Sequence, residues 1–255
     1  MKNVMNSNKK ILGVIPARYE SIRFPGKALA MINNKPMVQW VYEACKGVFD
    51  HLIVATDDDR IKVAVEKFDG QVLLTSTEHK SGTDRCSEAA SILAGKGLNF
   101  DIVVNVQGDE PLMKKEQLYE LIECIDTEDA DIATLVRHIN NEEDVNNPNV
   151  VKAVLNTEQH ALYFSRFPIP FHKQESRGEN DSYLQHIGLY AFKTSVLHKI
   201  CDLPVSPLEK AESLEQLRWL ENGFVIKTKL SKYENIGVDT PDDLRKLKDY
   251  LNKNS

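Results

Sequence analysis

The chain has few residues that could cross-link it, bind zinc or place it in a membrane. Its four cysteines are far apart, no two form a CxxC pair, and its seven histidines show no metal-binding spacing. This argues against a disulfide framework and a zinc cluster. No apolar run approaches the ~20 residues of a membrane span, and the polar start M-K-N-V-M-N-S-N-K-K lacks the apolar core of a signal peptide. We therefore expect a cytoplasmic protein with no membrane partner.

The chain also lacks an excess of positive charge. Its formal net charge is −6 at pH 7, which argues against a nucleic-acid partner, because such proteins gather lysine and arginine against phosphates. Any site for a smaller polyanion must therefore be local. The composition, 42% hydrophobic and 27% charged over 255 residues, is typical of a globular chain that buries a sizeable core. We expect a disordered tail at 1–8 and a single domain over 9–255.

Short apolar strands alternate with amphipathic helices in the first half of the chain. The pattern predicts strands at 11–15, 51–56, 72–75 and 101–107, and helices at 37–45, 58–68, 83–95 and 114–125. Strands that are apolar on both faces and separated by helices predict an α/β fold with a doubly wound, mostly parallel sheet. Ligands bind such sheets outside the carboxyl ends of the strands. The loops that follow these strands should therefore hold the chemistry.

After about residue 130 the rhythm of the sequence changes. Consecutive apolar runs predict strands at 131–138, 150–155, 160–164 and 184–193. We expect a smaller, partly antiparallel lobe inserted at roughly 131–205. The remaining pattern predicts helices at 194–202 and 208–222, the second ending at Gly223, then a strand near 224–230 and a helix at 241–252.

The loop P-A-R-Y-E-S-I-R-F-P-G-K at 16–27 places three cations directly after the first strand. It matches neither the P-loop nor the glycine pattern of dinucleotide-binding folds. Arg18, Arg23 and Lys27 could still bind a triphosphate by direct charge, and Gly26 would permit close backbone approach. The alternative is a solvated basic loop, and the residues alone leave both interpretations open.

Two acids follow strand-like runs in the same manner. Asp109 lies in V-Q-G-D-E-P, where Gly108 is expected to leave room for a ligand, and Asp239 lies in I-G-V-D-T-P-D-D-L. The two acids after Asp239 suit the start of a helix that Thr240 caps, which leaves Asp239 for another role. Mg²⁺ typically takes one or two carboxylates and completes its shell with water and substrate phosphates. Asp109 and Asp239 could therefore hold one Mg²⁺, although a simple turn also explains G-D-E-P.

A second acidic stretch, T-D-D-D-R at 56–60, contains a D-x-D pattern at Asp57 and Asp59. Metal-dependent glycosyltransferases use such a pattern. The same acids lie where a strand ends and a helix begins, so helix capping and the helix dipole explain them more simply.

The stretch S-G-T-D-R at 81–85 opens a predicted helix. Ser81 or Thr83 could simply cap that helix. Alternatively, Ser81, Gly82 and Arg85 could contact a nucleotide base.

Polar residues in apolar surroundings recur in the second half of the chain. They are Arg166 in Y-F-S-R-F-P, His186 and Tyr190 in Q-H-I-G-L-Y, and Glu215 and Gln216 in S-L-E-Q-L-R. A buried histidine or tyrosine belongs to a core more often than to a site. Glu215 can also simply pair with Arg218 three residues on.

Seven motifs, in order along 16–241, together resemble one known family. They are P-A-R-Y-x-S-x-R-F-P-G-K, S-G-T-D-R, N-V-Q-G-D-E-P, A-L-Y-F-S-R, H-I-G-L-Y, L-E-Q-L-R and G-V-D-T-P. The chain resembles the 3-deoxy-manno-octulosonate cytidylyltransferases, or CMP-Kdo synthetases. The resemblance implies a nucleotidyltransferase fold with a sugar-binding, dimerising lobe, and transfer of CMP from CTP to the anomeric hydroxyl of Kdo with release of pyrophosphate. It further implies Mg²⁺ as cofactor, a homodimer, and a role in bacterial lipopolysaccharide or capsule synthesis.

The resemblance also implies roles for individual residues. Nucleotide binding falls to Ala17, Arg18, Arg23, Lys27, Ser81, Gly82, Arg85 and Gln107. Asp109 and Asp239 would ligate Mg²⁺ and act in catalysis with Arg18 and Lys27. The sugar would contact Arg166, His186, Tyr190, Glu215 and Gln216, with Arg166 and His186 suited to its carboxylate. Glu20 departs from the family's phosphate loop and should point outward.

Three other functions remain compatible with the residues. One is a related cytidylyltransferase for another acidic sugar, such as sialic acid or 8-amino-Kdo. Another is a D-x-D glycosyltransferase that uses Asp57 and Asp59. The third is a catalytically silent sensor of sugar nucleotides, which the presence of both Asp109 and Asp239 disfavours.

Overall fold

The structure, a computed structural model, describes residues 9–21, 23–173, 183–234 and 236–253. The predicted tail at 1–8 lies outside the described residues. Contacts divide the chain into two compact units, Met1–Leu118 with Glu234–Ser255, and Tyr119–Tyr233. The second unit contains the lobe predicted at 131–205 and extends beyond it at both ends. The expectation of a single domain over 9–255 stays a prediction.

In the first unit the secondary-structure elements follow the predicted alternation. In chain order they are β1 (Ile11–Ala17), a 3₁₀ turn (Lys27–Leu29), β2 (Met31–Ile32), β3 (Lys35–Pro36), α1 (Met37–Cys45), β4 (His51–Thr56), α2 (Asp59–Glu66), β5 (Val72–Leu74), α3 (Gly82–Gly95), β6 (Ile102–Asn105) and α4 (Lys115–Ile125), which continues into the second unit.

The sheet of the first unit is parallel, as predicted. β1 pairs with β6 on one side and with β4 on the other, and β5 extends the sheet beyond β4. Ile11, Leu12, Val14 and Ile15 of β1 are each at most 1% exposed, because helices cover both faces of such a sheet. The loops after β1, β5 and β6 therefore leave the sheet at its carboxyl edge.

The second unit is partly antiparallel, as predicted. Its elements are β7 (Ile132–His138), α5 (Glu142–Asn146), β8 (Lys152–Leu155), β9 (Ala161–Ser165), β10 (Leu184–Lys193), α6 (Thr194–Cys201), α7 (Pro207–Glu212), α8 (Glu215–Glu221) and β11 (Ile226–Leu230); α9 (Pro241–Lys253) then belongs to the first unit. β7 pairs antiparallel with β10 and parallel with β11, and β8 pairs antiparallel with both β9 and β10.

The single helix predicted at 208–222 is wrong, because the structure has two helices there. α7 starts with a capping box between Ser206 and Glu209, and it ends at Ser213, whose φ of 53° is left-handed. α8 then begins after Leu214 and ends before Gly223, the predicted end of the helix. The apolar spacing runs across the break, so periodicity alone could not reveal it.

The four cysteines lie on α1, α3, α4 and α6, and none of them forms a disulfide within the described residues. Burial raises the pKa of Cys45 to about 12 and that of Cys124 to about 12, so neither is a reactive thiolate near neutral pH. Within the described residues, no helix is both long enough and apolar enough to cross a membrane.

Candidate active site

A cavity of about 460 Å³ lies at the carboxyl edge of the first unit's sheet. It is lined by Pro16, Ala17, Arg18, Ser21, Arg23, Lys27, Ala28, His79, Lys80, Ser81, Gly82, Arg85, Gln107, Gly108, Asp109 and Asp239. The lining includes all ten residues predicted to bind nucleotide or metal. They come from the loops after β1, β5 and β6 and from the segment before α9, so the sheet topology brings them together.

One ammonium group joins the two predicted metal ligands. Lys27 Nζ lies 2.6 Å from Asp109 Oδ2 and 3.2 Å from Asp239 Oδ1. Arg23 Nη2 lies 3.0 Å from the same oxygen of Asp239. The Lys27 side chain is only 17% exposed, whereas that of Arg23 is 60% exposed. The basic loop is therefore built into the cavity, and Lys27 is its most firmly held cation.

Local hydrogen bonds hold both acids in place. The N–H of Val238 donates to the carbonyl of Asp109 over 2.9 Å, which fastens the two acidic segments together. Asp243 Oδ2 accepts from the N–H groups of Asp239 and Thr240 over 3.2 and 2.9 Å, and Thr240 Oγ1 accepts from Asp243 N over 3.2 Å. Burial opposes ionisation of Asp243, yet these donors hold its pKa below the ordinary value. Thr240 thus caps α9 and Asp243 lies in its first turn, as predicted, and the Asp239 carboxylate is left for the cavity.

The two carboxylates fit Mg²⁺. Because Asp109 Oδ2 and Asp239 Oδ1 both contact one ammonium, a single cation already reaches both oxygens. The described residues contain no group of three or more histidine, cysteine, aspartate or glutamate side chains that could hold a metal. A pair of carboxylates without further protein ligands suits Mg²⁺, which is completed by water and phosphate oxygens.

Two glycines in these loops serve the chain itself. A Cβ on Gly108 would lie 2.9 Å from the carbonyl oxygen of Pro16, so this glycine lets the loop pack on β1. Gly108 also lines the cavity, and the expectation that it leaves room for a ligand stays a prediction. Gly26 has φ +72° and donates its N–H to the carbonyl of Tyr19 over 2.8 Å. Its left-handed backbone closes the basic loop.

Glu20 is exposed and is not among the residues that line the cavity. Its neighbour Tyr19 is covered by the Arg60 guanidinium, 3.3 Å from the ring centroid, and Arg60 is itself held by Asp58. Glu20, which departs from the family's pattern, therefore points outward from the cavity, as expected.

Ser81 caps α3, as one of the two interpretations of S-G-T-D-R predicts. Its Oγ accepts from Asp84 N over 3.1 Å, and Asp84 Oδ2 accepts from Ser81 N over 3.2 Å. Ser81 and Gly82 nevertheless line the cavity. The start of α3 is therefore both a capped helix and part of the cavity wall.

The two acids of the D-x-D pattern have different surroundings. Asp57 Oδ2 lies 2.7 Å from Arg85 Nη2, whereas Asp59 is exposed at the start of α2. The cap of α2 is the acid between them, Asp58, whose Oδ1 accepts from Arg60 N over 2.8 Å. Capping was therefore the wrong explanation for Asp57, because this acid pairs with a buried arginine of the cavity.

Two further residues of the cavity that can carry charge, His79 and Lys80, were not predicted. His79 Nε2 lies 2.5 Å from Glu88 Oε2, and Lys80 is exposed. Burial opposes ionisation of Glu88, but the N–H of Ser76 and the His79 ring hold its pKa below the ordinary value. Their position directly before S-G-T-D-R, in a loop that follows β5, was the signal available in the sequence.

In the second unit the predicted sugar-binding residues His186 and Tyr190 lie side by side. The His186 ring lies 5.3 Å from that of Tyr190, and burial and the negative charge of Glu215 raise the pKa of Tyr190. Burial lowers the pKa of His186 to about 3, and its Nε2 lies 2.9 Å from Thr134 Oγ1. His186 is therefore neutral near pH 7 and can offer a sugar a hydrogen bond, but not the charge expected of it.

Arg166 is tied to the backbone. Its Nε, Nη1 and Nη2 donate to the carbonyls of Glu212, Pro148 and Ser213 over 2.7, 2.9 and 3.3 Å. Within the part of the chain that the structure describes, three of the five guanidinium N–H donors are thus engaged, which leaves two for a ligand. The side chain holds the end of β9 against the turn between α7 and α8.

Glu215 and Gln216 lie in the first turn of α8. Glu215 Oε1 accepts from Arg218 Nη2 over 2.8 Å, so the predicted pairing within the helix is present. Gln216 is only 5% exposed. The sugar-binding roles of these residues stay predictions.

Comparison with known proteins gives one consistent result. A family model described as cytidylyltransferase matches residues 12–235. Two curated relatives are named 3-deoxy-manno-octulosonate cytidylyltransferase. One, from Bacteroides thetaiotaomicron, is 49% identical over 96% of this chain and 100% of its own length, and the other, from Thermodesulfovibrio yellowstonii, is 48% identical over 94% and 97%.

Solved structures agree with this result. A CMP:2-keto-3-deoxy-manno-octonic acid synthetase complexed with CTP is 40% identical and matches with a TM-score of 0.88, covering 96% of this chain and all of that one. A cytidylyltransferase from Leptospira borgpetersenii, at 16% identity and a TM-score of 0.63 over 96% of this chain and 87% of its own, shares the fold.

Proposed function

Since this chain belongs to the 3-deoxy-manno-octulosonate cytidylyltransferase family, we propose that it transfers CMP from CTP to the anomeric hydroxyl of 3-deoxy-D-manno-octulosonate, or Kdo. The hydroxyl oxygen loses its proton to solvent and forms the new bond to the α-phosphorus, the bond from the α-phosphorus to the oxygen that bridges it to the β-phosphate breaks, and pyrophosphate leaves. One observation carries the proposal: all ten residues predicted to serve the nucleotide and its metal line a single cavity.

The charges of the cavity suit a metal–triphosphate complex. Asp57 neutralises the charge of Arg85. Leaving out Arg85 and His79, the lining has four cationic side chains and two acidic ones. The cations are Arg18, Arg23, Lys27 and Lys80, and the acids are Asp109 and Asp239. The excess of positive charge matches the negative charge that the triphosphate retains with Mg²⁺ bound. Phosphoryl transfer of this kind depends on positioning and charge stabilisation and needs no covalent nucleophile.

Asp109 and Asp239 would hold Mg²⁺. When bound, the ion supplies positive charge against the oxygens of the triphosphate. Lys27 would then be available to the phosphates, because the carboxylates that it contacts in the free protein would hold the metal. Arg18 and Arg23 orient the triphosphate from the same loop, and Gln107, Ser81, Gly82 and Arg85 surround the nucleoside.

The sugar would bind in the second unit. His186, Tyr190 and Glu215 offer uncharged and acidic partners for its hydroxyls, and Arg166, with two N–H donors left, suits its carboxylate. Gln216 completes the predicted set. A homodimer, a cytoplasmic location and a role in lipopolysaccharide or capsule synthesis are further parts of this proposal that follow from the family.

Pyrophosphate release, measured across CTP, UTP and ATP with Kdo and with sialic acid, tests the proposed function. We expect release with CTP and Kdo in the presence of Mg²⁺ and little with any other pair. Preference for sialic acid would instead indicate a related cytidylyltransferase. Binding of the nucleotide sugar without any release would indicate a sensor. Light scattering tests the dimer, whose mass would be twice the 28.9 kDa of the chain.

A further inference from the structure

Asp57 holds a buried arginine at the wall of the nucleotide cavity. We propose that Asp57 is a positioning residue that fixes the guanidinium of Arg85 and thereby sets the preference for CTP over UTP. The inference rests on the proposed function, since it assumes that this cavity binds a pyrimidine nucleotide. It concerns an acid that neither the family resemblance nor the capping interpretation assigned to the site.

The guanidinium of Arg85 is fixed from two sides. The residue is 3% exposed, Nη2 donates to Asp57 Oδ2 over 2.7 Å, and Nη1 donates to Thr75 Oγ1 over 2.5 Å and to the carbonyl of Ser76 over 3.3 Å. Thr75 in turn donates its hydroxyl to the carbonyl of Thr56 over 3.2 Å. Its oxygen therefore faces Arg85 as an acceptor. The planar group can rotate only by breaking several of these bonds.

This network leaves part of the guanidinium to a ligand. Of the five N–H donors of Arg85, the three bonds to Asp57, Thr75 and Ser76 use two on Nη1 and one on Nη2. Among the described residues, the Nε–H and the second Nη2–H take part in none of these bonds. Arg85 lines the cavity despite its burial, so these are the donors that a bound base can meet.

The chemistry of the two pyrimidines makes a fixed donor selective. Cytosine presents two adjacent acceptors, O2 and N3, whereas uracil presents O2 beside an N3–H donor. An arginine that can only donate pairs with both acceptors of cytosine, but opposes the N–H of uracil. A site built for defined hydrogen bonds rejects an analogue that leaves its buried polar groups unpaired. Selectivity therefore requires that the guanidinium stay in place, which is the task of Asp57.

The chain offers a matched control for this acid. Asp59 is two residues away in the same acidic stretch, but it is exposed at the start of α2. Asp59→Asn removes the same charge from the same segment without touching Arg85. It should leave the melting temperature and the kinetics with CTP and UTP unchanged.

The experiment compares Asp57→Asn, Asp59→Asn, Arg85→Lys and the double variant Asp57→Asn/Arg85→Lys. For each folded variant, the ratio of kcat/KM for CTP to that for UTP is measured with Kdo, together with the melting temperature. Asp57→Asn should lower this ratio by at least about fivefold, the lower range of discrimination by paired hydrogen bonds to a base edge. In the Arg85→Lys background, where the fork is gone, Asp57→Asn should change the ratio no further.

Two results of this kinetic experiment would overturn the proposal. One is a lower melting temperature for Asp57→Asn at an unchanged CTP:UTP ratio, which is what a purely structural ion pair predicts. The other is an additional drop of the ratio in the double variant, which would show that Asp57 does not act through Arg85. If Asp57→Asn fails to fold, Asp57→Glu, which keeps the charge but moves it by one methylene, is judged by the same ratio.

Binding measured without the sugar separates this inference from the proposed function. Calorimetric titration of CTP and of UTP into the Mg²⁺-containing protein reports the base preference whether or not Kdo is a substrate. Tight CTP binding that weakens in Asp57→Asn but not in Asp59→Asn would support the inference even if Kdo is not used. Equal binding of CTP and UTP by the unaltered chain would refute it.

Discussion

Lys27→Met would remove the ammonium that Asp109 and Asp239 share and would keep most of the apolar volume of the side chain. The ion pairs at 2.6 and 3.2 Å involve a lysine that is 17% exposed and acids that are 29% and 45% exposed. Exposed pairs contribute about 0–1 kcal/mol, whereas breaking a buried pair costs about 3–5 kcal/mol. The partial exposure of both acids places the expected loss nearer the lower range, at about 1–2 kcal/mol. For a chain of this length that lowers the melting temperature by roughly 2–8 °C.

Mg²⁺ should reverse this loss. In the unaltered protein the ion must displace the Lys27 ammonium to reach both carboxylates, whereas in Lys27→Met the cation that remains is Arg23, which contacts the Asp239 oxygen. The variant should therefore bind Mg²⁺ more tightly in the absence of nucleotide. A ligand at a hundred times its dissociation constant adds about 2.7 kcal/mol of stability, which is enough to offset the lost ion pairs. With CTP and Kdo the variant should still turn over poorly, because it lacks a cation for the phosphates.

The assay is a melting curve with EDTA and with millimolar MgCl₂, at matched ionic strength, for the unaltered chain, Lys27→Met and Lys35→Met. Lys35 is a suitable control because its ammonium pairs with Glu43 over 2.7 Å, while both side chains are more than two-fifths exposed and lie outside the cavity. Mg²⁺ should raise the melting temperature of Lys27→Met by several degrees more than that of the other two proteins. An equal rise in all three would mean that Lys27 and the metal do not share Asp109 and Asp239, and the metal assignment would be wrong.

Three other perturbations test separate parts of the structure. Asp109→Asn and Asp239→Asn should each lower kcat at least about a hundredfold with folding preserved, since a metal ligand supplies several kcal/mol of transition-state stabilisation. The control Asp242→Asn, on the exposed face of α9, should leave kcat unchanged. Equal activity in all three variants would show that Asp109 and Asp239 do not act in catalysis. Arg166→Ala should raise the Kdo concentration needed for turnover at least about tenfold, or ~1.4 kcal/mol, without changing CTP affinity. It should also lower the melting temperature, because three backbone carbonyls lose their donor. A lower melting temperature at unchanged Kdo kinetics would mean that Arg166 has only a structural role. His186 has a folded-state pKa of about 3, below its unfolded value of about 6.5. The unfolded chain therefore binds the additional proton, and the free energy of unfolding should fall by up to about 1.4 kcal/mol per pH unit as the pH drops below 6.5. Denaturant unfolding at pH 7.0 and 5.5 should show a smaller difference for His186→Gln, and an identical difference would contradict the neutral assignment.

Local patterns in the sequence predicted much of the fold. Strands that are apolar on both faces and separated by amphipathic helices predicted the parallel sheet. The stretch T-P-D-D predicted the cap of α9, which leaves Asp239 for the cavity. These predictions succeeded because the burial period of an element and the hydrogen bonds of a helix start depend on residues within a few positions of one another. The helix over 208–222 failed for the same reason, since its apolar period continues through Ser213 while the backbone turns left-handed there.

The identity of the residues that could serve a nucleotide also came from the sequence, through ordered motifs that span 16–241. Their grouping in one cavity depends on the parallel topology, which sends the loops after β1, β5 and β6 to the same edge of the sheet. Which residues contact one another within that cavity was not readable from the motifs. Asp57 resembled a helix cap or half of a D-x-D site, and only the folded chain shows that it pairs with Arg85.

The sequence by itself therefore determined most of the elements, the parallel arrangement of the first unit's strands and the chemical character of the loops, because the patterns that indicate them lie among neighbouring residues. The tertiary structure decided which charged residues pair with one another. Arg85 and Asp57 are 28 positions apart, Lys27 and Asp109 are 82 apart, and Lys27 and Asp239 are 212 apart. A charge pair depends on distance in space, and positions so far apart in the chain acquire a defined distance only when the sheet is assembled.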